Sequence, residues 1–241
     1  MISQETLIRS ATLNQTTELN IAREYCQHLF LSAFYQQKGS ERVMFKGGTA
    51  LKIAYGSPRF SEDLDFSGFR TNISQIEDWI MTVLEEITLS AVGVNIQESK
   101  PTTDGYLASL DCQVYDYPIH ILIKISLRRK NNIQGKGILI TPDNLPAYLL
   151  NILPESVLVE EKIAALLTRG KPRDYFDLYF LLRKGMITPA MKPRLEGVRD
   201  ALQGSNLDFQ SELGHFLPRS YQGLLRNLRT TIYEELSRHG V

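Results

Sequence analysis

Two aspartates, Asp63 and Asp65, lie one residue apart in DLDF, a stretch that alternates acidic and apolar side chains. In an extended strand such residues share a face, with Cα atoms about 7 Å apart. Both carboxylates would then present to one side, with Leu64 and Phe66 packed on the other. Like charges held so close repel unless a cation neutralises them. Mg²⁺ prefers oxygen ligands and usually takes one or two carboxylates together with phosphate oxygens. Upstream, the strand candidate 42–46 runs into Gly47-Gly48-Thr49, which reads as a tight turn opening a short helix. Glycines let backbone N–H groups approach a polyphosphate, and the helix that follows points its positive end at it. Asp63 and Asp65 are therefore expected to hold metal at a catalytic centre, and Lys46, Gly47, Gly48 and Thr49 to bind a nucleoside triphosphate. Arg59 and Ser61, in the intervening loop, would either support the phosphates or stabilise the turn. Each part alone is ordinary, since D-x-D fits any wet edge strand and Gly-Gly fits any turn. The order strand, Gly-Gly-Thr, helix, loop, D-x-D is much rarer, and it is not a Walker A loop, whose G-x-x-x-x-G-K-[ST] pattern does not occur.

Composition narrows the classes that could carry such a site. The 241 residues are 43% apolar, enough for a sizeable core and too many for a disordered chain. Lys and Arg number 27, as do Asp and Glu, so the formal charge is zero. That balance excludes a broadly basic, histone-like protein but allows a local basic patch. The two cysteines, Cys26 and Cys112, read as buried reduced thiols rather than a disulfide or metal site. His28, His120, His215 and His239 show no ligand spacing, so zinc is not expected. No apolar leader or long apolar run is visible, and a cytoplasmic protein without membrane contact is expected.

The elements around the acidic pair follow from periodicity. Steps of three and four from Leu19 through Ala22, Cys26 and Leu29 to Ala33 predict an amphipathic helix. Residues 74–91 predict another, with Ile76, Trp79, Ile80, Val83, Leu84 and Ile87 inward and a capping box from Ser74 and Glu77. Strands are predicted at 93–97, 106–115 and 119–128. The last turns Ile119, Ile121, Ile123, Ile125 and Leu127 one way and His120, Lys124, Ser126 and Arg128 the other, with Leu122 the exception. From Pro154 onward only helices are predicted, near 156–168, 173–183, 189–202 and 218–238. The expected fold class is α+β, a mixed β-sheet with flanking helices followed by a C-terminal helical bundle. The expected domains are residues 1–145 and a helical domain, 146–241, that completes the active-site cleft.

At this point GGTAL…GSPRFSEDLDF resembles the first motif of the nucleotidyltransferase AbiEii/AbiGii toxin family, in the polymerase-β-like nucleotidyltransferase superfamily. VEEKIAALLTRGKPRDYFDLYFLL, residues 159–182, is similar to that family's later motifs, a Glu-Lys on one helix and Arg-Asp-x-x-Asp-Leu opening the next. With both blocks present, Lys162 becomes a candidate for triphosphate charge and Asp174 for accepting or orienting the attacking hydroxyl. Asp177 reads as structural, holding Arg173 or a helix N-terminus. The resemblance implies a Mg²⁺-dependent transfer of NMP from an NTP to RNA, with the tRNA 3′ end as acceptor class, by the toxin of a toxin–antitoxin system with a cognate antitoxin. One departure stands out. Superfamily members commonly carry a third metal-binding carboxylate on a later strand, whereas the wet face of 119–128 offers Lys124 and Ser126. Asp111 or Asp174 could substitute, two aspartates could suffice, or Lys124 could face phosphate. Two readings from other classes stay open: nucleotidylation of a protein or small molecule, and an inactive relative that serves as a binding module. A basic rim for RNA is expected from Arg128, Arg129 and Lys130 and from Lys171, Arg173, Arg183 and Lys184.

Overall fold

The computed structural model describes residues 1–128 and 133–241, so Arg129 and Lys130 lie outside the described residues. The chain forms two compact units. One holds residues 1–56 and 60–154; the other holds 57–59 and 155–241.

The first unit runs α1 (Gln4–Leu13), α2 (Glu18–Gln36), β1 (Val43–Lys46), α3 (Gly47–Tyr55), β2 (Leu64–Phe69), α4 (Ile73–Leu89), β3 (Gly93–Thr102), β4 (Gly105–Val114), β5 (Tyr117–Arg128), β6 (Lys136–Ile140) and β7 (Tyr148–Ile152). Its strands make a seven-stranded mixed sheet in the order β3-β4-β5-β2-β1-β7-β6. β1 lies antiparallel to β2 and parallel to β7, while β2 and β5 run parallel. Residues opposite one another in a ladder share a face, which separates the sheet's two jobs. Phe45 and Phe66 pair across β1 and β2, and Phe66 packs against Phe30 and Phe34 of α2. Phe34 in turn meets Trp79 of α4 edge-on. Lys46, Asp65 and Lys124 alternate out of that aromatic layer and share the opposite face.

The domain boundary falls at Pro154 rather than at residue 145, because β7 pairs in parallel with β1 through Phe45 and Ile152 and belongs to the sheet. The phenol of Tyr35 fastens that join: its hydroxyl oxygen lies 2.8 Å from the carbonyls of both Val43 and Asn151, and its single proton can be given to either. The helix over 74–91 appears as α4, but its cap is Asn72, whose side chain accepts from the Gln75 N–H at 2.9 Å, not Ser74 with Glu77. Cys26 and Cys112 are both buried free thiols.

The second unit is helical: α5 (Glu155–Arg169), α6 (Pro172–Arg183), α7 (Lys192–Gln203), α8 (Phe209–Leu213) and α9 (Gln222–Arg238). Its core gathers Leu158, Ile163 and Leu166 of α5, Phe176 and Leu181 of α6, and Leu228 and Ile232 of α9. Leu225 and Leu236 join this core, as expected of an amphipathic stripe.

Candidate active site

The acidic pair of the first unit is assembled by backbone first. Gly47 opens α3 with φ +87°, a region that disfavours side chains. A Cβ there would also lie 2.5 Å from Oδ2 of Asp65, so the glycine makes room for that carboxylate as well as for the turn. Asp65 stands in β2 with Lys46 opposite it on β1 and Lys124 opposite it on β5. Asp63 sits one residue before the strand begins. Its Oδ2 accepts from Lys124 Nζ at 2.6 Å, which brings Asp63 to the face that carries Asp65 and Lys124. The first-turn N–H groups of α3, from Gly47, Gly48 and Thr49, have no acceptor within the helix.

The loop that delivers Asp63 is held by three consecutive carbonyls. The buried Gln27 carboxamide on α2 donates to the carbonyls of Ser61 at 2.9 Å and Glu62 at 3.1 Å. The Thr49 hydroxyl donates to the Asp63 carbonyl at 2.5 Å. Thr49 therefore spends its side chain on the loop and has only its N–H to offer a phosphate. Ser61 likewise enters through its carbonyl. Gln27 is a positioning residue that sequence reasoning missed; the available signal was an amide between Cys26 and Leu29 on the inward side of a helix.

The oxygen-only donor set of Asp63 and Asp65 suits one Mg²⁺ that draws its remaining ligands from phosphate. Among the described residues no group of three His, Cys, Asp or Glu side chains could hold a metal ion. Asp111 does not complete the set. It pairs with His120 at 2.7 Å and lies four positions along β4 from Leu107, the residue opposite Lys124, hence about 13 Å away along the strand.

The second unit carries the other candidate residues. Asp177 on α6 accepts from both Nε and Nη2 of Arg59, at 2.9 and 3.1 Å, and from Lys162 Nζ of α5 at 2.7 Å. Burial pushes its carboxyl up, but Arg59 and Lys162 outweigh burial and hold it at about 2. Arg59 is 5% exposed, and its guanidinium engages the Asp177 carboxylate. The partner of Asp177 is thus Arg59 rather than Arg173. Asp174 is buried as well. Its oxygens take a two-pronged contact from Arg169, at 2.8 and 2.6 Å, and the Lys171 N–H at 3.2 Å, so it caps α6. Both of its oxygens are therefore engaged within the second unit. Lys162 spends one N–H on Asp177 and retains two.

No helix among the described residues is long and apolar enough to cross a membrane. No curated protein matches the chain. Among solved structures, MenT4, a nucleotidyltransferase toxin from Mycobacterium tuberculosis, is 16% identical at a TM-score of 0.68, covering 98% of this chain and 89% of that one. JHP933 from Helicobacter pylori is 19% identical at a TM-score of 0.60, covering 93% and 96%. At such identities the likeness establishes the fold. The family model described as "Nucleotidyl transferase AbiEii toxin, Type IV TA system" matches residues 29–228, which span the acidic pair, the glycine turn and both later helices. The chain belongs to this toxin family and is a nucleotidyltransferase.

Proposed function

We propose that the protein moves a nucleoside monophosphate from an NTP to RNA, at the 3′ end of tRNA, with Mg²⁺ held by Asp63 and Asp65. We further propose that this activity is the toxic half of a pair whose other half is a cognate antitoxin. The observation that carries the reading is the pair of carboxylates on one sheet face, with Asp65 lying against the glycine that opens α3. A hydroxyl would attack the α-phosphorus, form the new P–O bond and expel pyrophosphate. Magnesium, when bound, would lower the cost of the charge that develops on the phosphate oxygens. Asp63 and Asp65 hold that ion, and the N–H groups of Gly47 and Gly48 receive phosphate oxygens at the positive end of α3. Lys162 is the candidate of the second unit for phosphate charge through its two remaining N–H groups. Arg59, Asp174 and Asp177 serve as framework. RNA as acceptor is supported by the family's description as a toxin and by exposed Arg128 at the end of β5.

Incubation with α-labelled NTPs, Mg²⁺ and total RNA tests the reading. Label is expected on RNA, and Asp65→Asn is expected to lower it by about a hundredfold or more. Label on protein or metabolite would reject the RNA acceptor; label that persists undiminished in Asp65→Asn would reject the site. Growth inhibition on expression is expected to disappear with Asp63→Ala.

A further inference from the structure

We propose that a cavity in the first unit, separate from the acidic pair, binds a small organic amine: a primary ammonium group carried on an apolar body. The cavity holds about 410 Å³, an ordinary volume for a small-molecule site. From α2 come Glu24 and His28, four residues apart and hence on one helical face. α3 brings Lys52 and Ile53, while β6 and the loop after it bring Ile138 and Asp143. Neither Asp63 nor Asp65 lines this cavity, so the proposal is independent of the metal reading.

The informative side chain is Glu24. It is 23% exposed, and its partner among the described residues is the Lys52 ammonium, 3.6 Å away. That distance is too long for a hydrogen bond, and a carboxylate has about four acceptor positions to fill. Lys52 is also drawn elsewhere, since its Nζ stands 3.9 Å over the Phe60 ring. Burial pushes the Glu24 carboxyl up in spite of Lys52, so the lysine compensates the buried charge incompletely.

His28 adds no positive charge. Its Nδ1 lies 2.8 Å from the Tyr148 hydroxyl, and burial together with Lys52 holds the imidazole at about 4, neutral at pH 7. Asp143 is exposed at the cavity wall and adds to the negative potential at Glu24. Among the lining residues, two carboxylates thus face one ammonium. An incoming ammonium can donate charge-assisted hydrogen bonds to the oxygens that Lys52 leaves free. Ile53 and Ile138 cover the apolar body. The occupant would also touch α3 at its far end from Gly47, the glycine that abuts Asp65.

The probe is benzylamine, titrated by calorimetry into the full chain, with benzyl alcohol and benzoate as bodies of similar size that lack the positive charge. Benzylamine is expected to bind in the millimolar range or tighter. The alcohol and the acid are expected to bind about tenfold more weakly or not at all. Glu24→Gln is expected to lower benzylamine affinity about tenfold. Lys52→Met is expected to raise it by about the same factor, because a competing cation is gone. A gain of affinity cannot come from misfolding, and the melting temperature of each unliganded variant checks its fold. Equal benzylamine affinity in wild type and Glu24→Gln would overturn the proposal. So would benzyl alcohol or benzoate binding as tightly as benzylamine, or no benzylamine binding in either wild type or Lys52→Met.

Discussion

Lys124–Asp63 and Lys162–Asp177 are lysine–aspartate pairs of nearly the same length in very different surroundings. Lys124 and Asp63 meet at 2.6 Å with side chains 42% and 32% exposed; Lys162 and Asp177 meet at 2.7 Å with 11% and 2%. Distance alone would rank them equal. Solvent separates them, because water screens the first pair and can replace either partner, while the second pair has left water behind. A fully buried carboxylate is tolerated only when saturated, and Asp177 is, by Arg59 as well as Lys162. The exposed pair keeps a replaceable cation and contains Asp63, one of the two carboxylates proposed to hold the metal. The buried network fixes α5 and α6 and anchors residues 57–59, which cluster with the second unit although first-unit residues flank them in the chain.

The sharpest way to break this contrast is to remove the buried carboxylate. Asp177→Asn keeps the volume but strands Arg59 and Lys162 without their anion, and is expected to cost about 3 to 5 kcal/mol in urea denaturation. Acid probes the same group without mutation. The carboxyl lies near 2 in the folded chain against 3.8 as its ordinary value, so its stabilisation is complete above about pH 4. It drains away as pH falls toward about 2, a loss on the order of 2 kcal/mol that Asp177→Asn should not show. A wild-type denaturation midpoint that stays flat over that window would mean that the pair contributes no more than an exposed one.

The exposed site is broken by geometry instead of charge. Gly47→Ala forces a Cβ onto the Asp65 carboxylate, 2.5 Å from Oδ2, at a backbone φ of +87°. Displacing a metal ligand by even about 1 Å can cost roughly a hundredfold in rate, and that is the expected loss of nucleotide transfer. The acid transition of Asp177 should stay where it is, since the substitution does not touch that network. Transfer at the wild-type rate in Gly47→Ala would show that Asp65 does not need the space the glycine leaves.

What could be read from the chain before folding follows the same division. The acidic pair and glycine turn were legible because they depend on short spacing, a two-residue strand period and one backbone conformation. The isoleucine run 119–128 was legible too, since burial on one face writes alternation directly into β5. β6 and β7 were not. Leu139 and Leu149 face one another across that ladder and remain exposed, so the alternation of buried and exposed positions in β7 is not written as an alternation of apolar and polar residues. The Arg59–Asp177 pair spans 118 positions in the chain and has no local signature. The burial of Arg59 could not be read from its neighbours in the chain, because its partner lies on a helix far away in sequence. Lys124 was visible as a departure, but only register showed that it stands beside Asp65.

The smallest expected effect is also the most informative about the contrast. Lys124→Met removes an ion pair as short as the buried one, yet both partners remain in reach of water, and such pairs contribute about 0 to 1 kcal/mol. Urea midpoints of wild type and Lys124→Met are therefore expected to agree within that range, and raising the salt concentration should narrow the difference further. A loss as large as that of Asp177→Asn would place Lys124 in the framework alongside Arg59. Near-identical stability, with Asp177→Asn strongly destabilised in the same buffer, would establish that solvent access, not contact distance, divides the lysines that hold this fold from the one that tends its acidic pair.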